Sequence, residues 1–175
     1  MTIIDISIIG VGKMGGALAL ALSNKGYKIR QLVAKNPTNA EKIVQLIKSN
    51  PQIISPNQLE KVDGDIVLIA VQDSEIGFVA EDLAEKLDHL PYVFHLSGAL
   101  SSKTLFRLND EGCEVASFHP LVSVSDSVKG ADNFQDAYFC LEGDIEAIKI
   151  GKQIVSDLKG KSFSISPKDK SLYHA

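Results

Sequence analysis

The chain has 175 residues, 45% hydrophobic and 23% charged, with a formal net charge of −4. That length supports one full core and is short for a two-domain enzyme, and the acidic balance removes the electrostatic case for nucleic acid or an anionic membrane as partner. No apolar run approaches the roughly 20 residues that span a bilayer, and Met1-Thr2-Ile3-Ile4-Asp5 lacks the basic segment of a secretory signal, so a cytoplasmic protein is expected.

Ile3 to Ile9 is a β-branched run that breaks into Gly10-Val11-Gly12-Lys13-Met14-Gly15, and a helix-forming run follows until Gly26. Strand, glycine turn and helix in that order are the context a dinucleotide fingerprint requires. Gly10 then allows the tight turn, Gly12 lets the backbone approach a pyrophosphate, and Gly15 lets the helix pack closely on the strand. The N–H groups and positive dipole end of the helix, from Lys13 and Met14 to Gly16, face the anion.

Lys28 to Ala34 predicts a second strand, and Thr38 N-caps a helix running to about Ser49. Ile53-Ile54 is a short strand, followed by a helical piece from Pro56 to Lys61. Asp65 to Val71 is a continuous apolar run, as expected of a parallel strand covered on both faces. Ser74 caps a helix from Glu75 to Leu87, Tyr92 to Leu96 is a strand, and Ser101 or Ser102 caps a helix through Leu108. Glu114 to Phe118 and Ala137 to Leu141 are strands separated by a polar loop from Ser123 to Gln135. Ile145 to Leu158 is helical, Lys161 to Ile165 is a last strand, and Pro167 suits the first turn of a final helix.

This alternation specifies an α/β fold: a doubly wound, mainly parallel sheet with helices on both faces. A ligand belongs at the carboxyl ends of the strands, at the switch point beside the first one. Residues 1–166 form the nucleotide-binding domain. Residues 167–175 read as the start of a truncated helical domain, because a helix of about two turns is marginal alone. Cys113 and Cys140, in apolar strand-like segments, read as buried reduced thiols; a bridge between neighbouring strands stays open.

NAD sites place an acid about 20 residues beyond the glycines, at the end of strand two, for the ribose hydroxyl. Here that place holds Val33-Ala34-Lys35-Asn36-Pro37-Thr38, and no acid lies between Gly10 and Glu41. A cation at Lys35, an amide at Asn36, a hydroxyl at Thr38 and a fresh helix N-terminus all suit a 2′-phosphate. The expected cofactor is NADP rather than NAD, and the missing acid also speaks against an S-adenosylmethionine site.

Three segments end strands on the presumed ligand side. Val71-Gln72-Asp73-Ser74 offers backbone at Val71 and Gln72 to flank the cofactor. In His95-Leu96-Ser97-Gly98, Gly98 permits close approach and Ser97 offers a hydroxyl to a substrate carbonyl or carboxylate. In Ser117-Phe118-His119-Pro120, the proline keeps His119 out of the helical region and fixes it at a strand end. Reduction of C=O or C=N needs a hydride and a proton from a nearby acid. Lys170 and His174 share one face of the last helix, beside Tyr173, and Lys170 is the candidate acid. Each of these side chains also admits a purely structural reading: a turn serine, a backbone-satisfied histidine, a polar helix face. Four scattered histidines and two cysteines lack metal-ligand spacing, so no metal is expected.

Gly10-Val11-Gly12-Lys13-Met14-Gly15-Gly16-Ala17, Ala70-Val71-Gln72-Asp73, His95-Leu96-Ser97-Gly98-Ala99, Ser117-Phe118-His119-Pro120-Leu121 and Lys170-Ser171-Leu172-Tyr173-His174-Ala175 occur in one order along the whole chain. Together they resemble the signature of Rossmann-like predicted NADP-dependent oxidoreductases related to pyrroline-5-carboxylate reductase and the β-hydroxyacid dehydrogenases. The resemblance implies a cofactor domain followed by a helical domain of unassigned function, opened by the Lys170–Ala175 segment. That second domain would help form a homodimer and close the cleft over a small-molecule substrate. The chain departs from the pattern by ending at this segment. The expectation is therefore the NADP-binding domain of an oxidoreductase acting on a small carbonyl, imine or hydroxy metabolite. The alternative is a non-catalytic NADP-binding module with a regulatory or sensing role.

Overall fold

The computed structural model describes residues 4–174, apart from the side chains of residues 171 and 174. The expectations for Ile3, Ala175 and the His174 side chain lie outside the described residues.

Eight strands form one sheet: β1 (Asp5–Ile9), β2 (Lys28–Val33), β3 (Gln52–Ile54), β4 (Ile66–Ile69), β5 (Tyr92–His95), β6 (Val115–Pro120), β7 (Tyr138–Gly143) and β8 (Lys161–Ser164). Their order in space is β3-β2-β1-β4-β5-β6-β7-β8. Every neighbouring pair is parallel except β6 with β7, which run antiparallel. The chain leaves β1 in one direction for β2 and β3, then returns to add β4 on the other side. This is the switch point at which a doubly wound sheet opens a crevice at its carboxyl edge.

Period-two alternation sends successive strand residues to opposite faces, and both faces are covered. Ile6 and Ile8 of β1, with Ile66 and Leu68 of β4, pack with α1 (Lys13–Asn24), α2 (Pro37–Val44) and α6 (Ile145–Asp157). Ile9, Val67 and Ile69 face the other way, against Ile76, Ala80 and Leu83 of α3 (Asp73–Lys86) and Leu108 of α4 (Phe106–Asp110). Both cysteines are buried free thiols, Cys113 in the turn before β6 and Cys140 in β7. Among the described residues no helix is long and apolar enough to cross a membrane.

Several boundaries differ from the sequence reading: α2 ends at Val44 rather than about Ser49, β6 runs on to Pro120, and a 3-10 turn at Ser102–Leu105 precedes α4; three further differences have a local reason. Asn36, not Thr38, caps α2: its side-chain oxygen accepts the Thr38 N–H at 3.0 Å, and Pro37 takes the first helical position. Helix α3 begins one residue before Ser74, with Gln72 at its cap and the acids Asp73 and Glu75 in its first turn. The stretch expected as a polar loop from Ser123 to Gln135 folds instead into α5 (Ser127–Gly130), capped by the Asp126 carboxylate, and a 3-10 turn at Ala131–Phe134. It has to be ordered, because Gly15 to Leu22 of α1 are all buried. A helix apolar all round needs a neighbour on its outer side as well as the sheet. Phe134 and Gly130 supply it, and the Ser127 hydroxyl donates to the Gly12 carbonyl at 3.3 Å.

Aromatic rings fill the layer beneath β5, β6 and β7. Phe118 has its centroid 5.9 Å from Phe94 and 5.1 Å from Phe139, and all three rings are fully buried. Replacing Phe118 by alanine is expected to lower stability by about 3–5 kcal/mol, read by chemical denaturation. A loss below about 1 kcal/mol would show that the site collapses around the gap.

Candidate functional site

The turn after β1 is built from backbone contacts that exclude side chains. Gly10 has a φ of +99°, and a Cβ there would lie 2.6 Å from the Ala70 carbonyl oxygen. A Cβ at Gly15 would lie 2.0 Å from the Gly10 carbonyl oxygen, so α1 starts in direct contact with the turn. A Cβ at Gly12 would meet nothing within 4 Å. Gly12 thus faces open space at the N-cap of α1, where no side chain caps the helix. The cradle fits a pyrophosphate: a bare backbone surface, a helix dipole, and N–H groups of Lys13, Met14 and Gly15 in the first turn.

The cleft beside this turn has a volume of about 410 Å³. Of the residues expected at the cofactor, Gly10, Gly12, Lys35, Asn36, Val71 and Gln72 line it. Asn39, rather than Thr38, contributes from α2, and Pro56, Leu59, Phe78 and Val79 make an apolar wall. Lys35 is not a solitary cation. Its ammonium donates to the Glu75 carboxylate of α3, also at the cleft, and this contact holds Glu75 below the usual carboxylate range. Sequence spacing hid this acid, because it arrives from the helix after β4 and not from the end of β2.

Ser97 and Gly98 lie at the end of β5, the strand beside β4, and form a second group with His119 and Lys170. The His95 ring, fully buried, accepts the Ser97 N–H at Nδ1 (3.2 Å) and reaches the Ser101 carbonyl with Nε2 (3.1 Å). This assigns the proton to Nε2, and burial brings His95 down to about 4. The Ser97 hydroxyl accepts the N–H groups of Ala99 and Leu100, at 3.1 and 3.0 Å. Both acceptor positions are used, which leaves its O–H to donate. Gly98 is pressed on His119: a Cβ there would come 2.7 Å from the imidazole.

Lys170 opens α7 (Lys170–His174) and is only 2% exposed. Its ammonium donates to the Ser117 hydroxyl at 2.6 Å, and Ser117 in turn donates to the Ser97 carbonyl at 3.3 Å. Burial holds Lys170 below the ordinary lysine range, and the negative charge of Glu142 and Asp73 only partly opposes this. Tyr173, one turn along, shares a 3.0 Å hydrogen bond with His119 Nδ1 and is raised to about 12, mainly by burial. The structure therefore brings Ser97, His119 and Lys170 together at the carboxyl end of β5 and β6, with β4 between them and the strand that carries the glycine turn; none of the three lines the cleft.

Sequence reasoning passed over two members of this group. Ser117 joins Lys170 to Ser97. Glu142, wholly buried, lies opposite Ser117 in the antiparallel ladder and accepts both the N–H (2.8 Å) and O–H (2.5 Å) of Ser102. An acid inside the apolar run Tyr138-Phe139-Cys140-Leu141-Glu142 was the available signal, since a buried charge needs partners. Among the described residues no three His, Cys, Asp or Glu side chains are grouped to hold a metal ion.

A parallel sheet with a glycine cradle at its switch point defines a dinucleotide-binding domain. Residues 5–93 match the family model described as NADP oxidoreductase, coenzyme F420-dependent, and the chain belongs to that Rossmann-like oxidoreductase family. Residues 137–175 match a domain of unknown function, DUF2520. No curated protein matches the sequence. Among solved structures, a provisionally assigned NADP oxidoreductase from Bacteroides fragilis superposes with a TM-score of 0.81 at 19% identity, covering 98% of this chain and 64% of that one. Prephenate dehydrogenase from A. aeolicus, in complex with hydroxyphenyl propionate and NAD+, gives 0.81 at 21% identity, covering 97% and 62%. Pyrroline-5-carboxylate reductase from Coxiella burnetii gives 0.74 at 17%, covering 97% and 62%. The chain thus spans less than two thirds of the length of these relatives.

The His95 geometry has a measurable consequence. The folded ring stays neutral down to about 4, whereas an unfolded histidine takes a proton near 6.5. The unfolded state then binds more protons between these values, so stability is full above this window and falls as pH drops through it. Relative to His95→Gln, the parent should lose up to about 3 kcal/mol across the window, in denaturant titrations at successive pH values. A difference that stays constant with pH would contradict the assignment.

Proposed function

We propose that this domain binds NADP(H) and takes part in hydride transfer to or from a small carbonyl, imine or hydroxy metabolite. The observation that supports the reading is a shared edge: the glycine cradle follows β1, the Ser97–His119–Lys170 cluster lies at β5 and β6, and β4 alone stands between β1 and β5. The nicotinamide, when bound, supplies or accepts the hydride. The chain's own residues do the rest. Gly12 and the first turn of α1 hold the pyrophosphate, while Val71 and Gln72 flank the cofactor. Lys35, Asn36 and the first turn of α2 suit a 2′-phosphate, which is the basis for preferring NADP over NAD.

At the reacting end, the Ser97 O–H is a donor for a substrate oxygen or nitrogen. Lys170 is the proton donor. It has three N–H groups and spends one on Ser117, and its burial weakens its hold on the proton, which brings it closer to the range useful at neutral pH. His119 and Tyr173 form a linked pair beside it, suited to orienting the substrate. Membership of an oxidoreductase family does not favour the alternative of a non-catalytic module. A domain division at Pro167, a homodimer formed through a helical domain, and residence in the cytoplasm belong to the same proposal.

The test begins with binding. NADPH should bind the parent and not Gly12→Val, whose added side chain projects into open space and so leaves the fold intact by circular dichroism. NADPH oxidation should then be followed over a panel of oxo-acids, imines and aldehydes. Turnover that drops by a hundred-fold or more in Lys170→Ala is the expected outcome, in line with the usual weight of acid–base catalysis, about 10²–10⁴-fold. Normal NADPH binding by Gly12→Val would overturn the cofactor site.

A further inference from the structure

We propose that Glu75 sets the cofactor preference by competing with a 2′-phosphate for Lys35; this rests on the dinucleotide reading of the cleft. Among the described residues lining the cleft, the charged ones are Lys35, Glu75 and Asp82. Asp82 is held by Lys86 of the same helix at 2.7 Å, one turn further on. Lys35 is therefore the one cation among these lining residues, and it is already paired with Glu75. The pair joins the end of β2 to the first turn of α3 at the place where a doubly wound sheet receives the ribose next to the adenine.

The two cofactors meet this pair differently. A ribose bearing free hydroxyls can donate to the Glu75 carboxylate and leave the ion pair whole. A 2′-phosphate is an acceptor with up to two negative charges; it must draw Lys35 away and then sit beside an ionised carboxylate. Glu75 remains ionised at neutral pH, because its contact with Lys35 stabilises the charged form. The Lys35 side chain is 72% exposed, so it can swing from one partner to the other without unpacking the core. Glu75 thus does from α3 what an acid at the end of β2 does in NAD sites, and it restrains a preference that Lys35 alone would make strong.

Two unit charges about 4 Å apart in water interact by about 1 kcal/mol, or roughly five-fold in affinity, and a doubly charged phosphate feels more. Glu75→Gln keeps the shape and removes the charge. In fluorescence titrations of the 175-residue chain at low salt, it should raise the NADPH-to-NADH affinity ratio on the order of ten-fold, mostly through tighter NADPH. Raising the salt should shrink that gain, since both groups are solvent-screened. In a Lys35→Gln background the same substitution should have a clearly smaller effect, because no cation remains to be released.

A ratio unchanged within two-fold by Glu75→Gln, in a protein that binds NADPH and loses it in Gly12→Val, would overturn the role of Glu75 and leave the cofactor site standing. An equal gain with and without Lys35 would overturn the competition and leave only direct repulsion. A parent that binds neither nucleotide would overturn both.

Discussion

The contact between the first turn of α1 and the glycine turn after β1 governs the site. With the Gly10 carbonyl oxygen only 2.0 Å from where a Gly15 Cβ would stand, the helix sits as close to the strand end as backbone allows. That approach aims the helix axis, and with it the dipole, at the open space over Gly12. The Gly10 N–H is fixed to the Val33 carbonyl at 2.9 Å and the Ala70 N–H to Ile9 at 2.7 Å. The ends of β1, β2 and β4 are thereby locked into one rim. Everything proposed about a cofactor depends on this rim being rigid before a ligand arrives.

Beyond the rim the sheet does something an apolar core does not require. Ser97, Ser102, Ser117, Glu142, His95 and Lys170 are all buried, at one end of strands whose other positions carry Phe, Val, Leu and Ala. Burying such groups costs free energy unless each finds a partner, and each does. Replacing the set by hydrocarbon of the same volume would leave the fold no poorer in packing. Reversal of strand direction at β7, which β8 shares, brings Glu142 opposite Ser117 and so completes the polar group. Polar order held at a cleft edge, away from the aromatic layer around Phe118, is what a binding or reacting site demands.

Much of this was legible in the residues because it is written in local chemistry. Glycine spacing after a β-branched strand, apolar runs at Ile66–Ile69 and proline before a helix each constrain the backbone within a few positions. The placement of α5 was not legible in Ser123–Gln135 itself, which is polar; it follows from α1, whose uniform burial demands a cover. Nor was the Lys35–Glu75 pair, since forty residues separate its members and only the β2–β1–β4 order brings them together. Ser117, Lys170 and Glu142 are likewise joined by three-dimensional proximity across β6, β7 and α7, and periodicity carries no trace of it. The α2 cap falls at Asn36, two residues before the expected Thr38, because Pro37 supplies the fixed φ of the first helical position.

Amide shift mapping of the isotope-labelled chain during titration with NADPH tests the central claim most directly. The expected changes concentrate at residues 10–16, 34–39, 70–75 and 96–99, the turns at the carboxyl ends of β1, β2, β4 and β5. Changes clustered instead around Asp5, Asp63 and His89, at the opposite edge of the sheet, would contradict it, as would a titration that leaves the glycine turn unmoved.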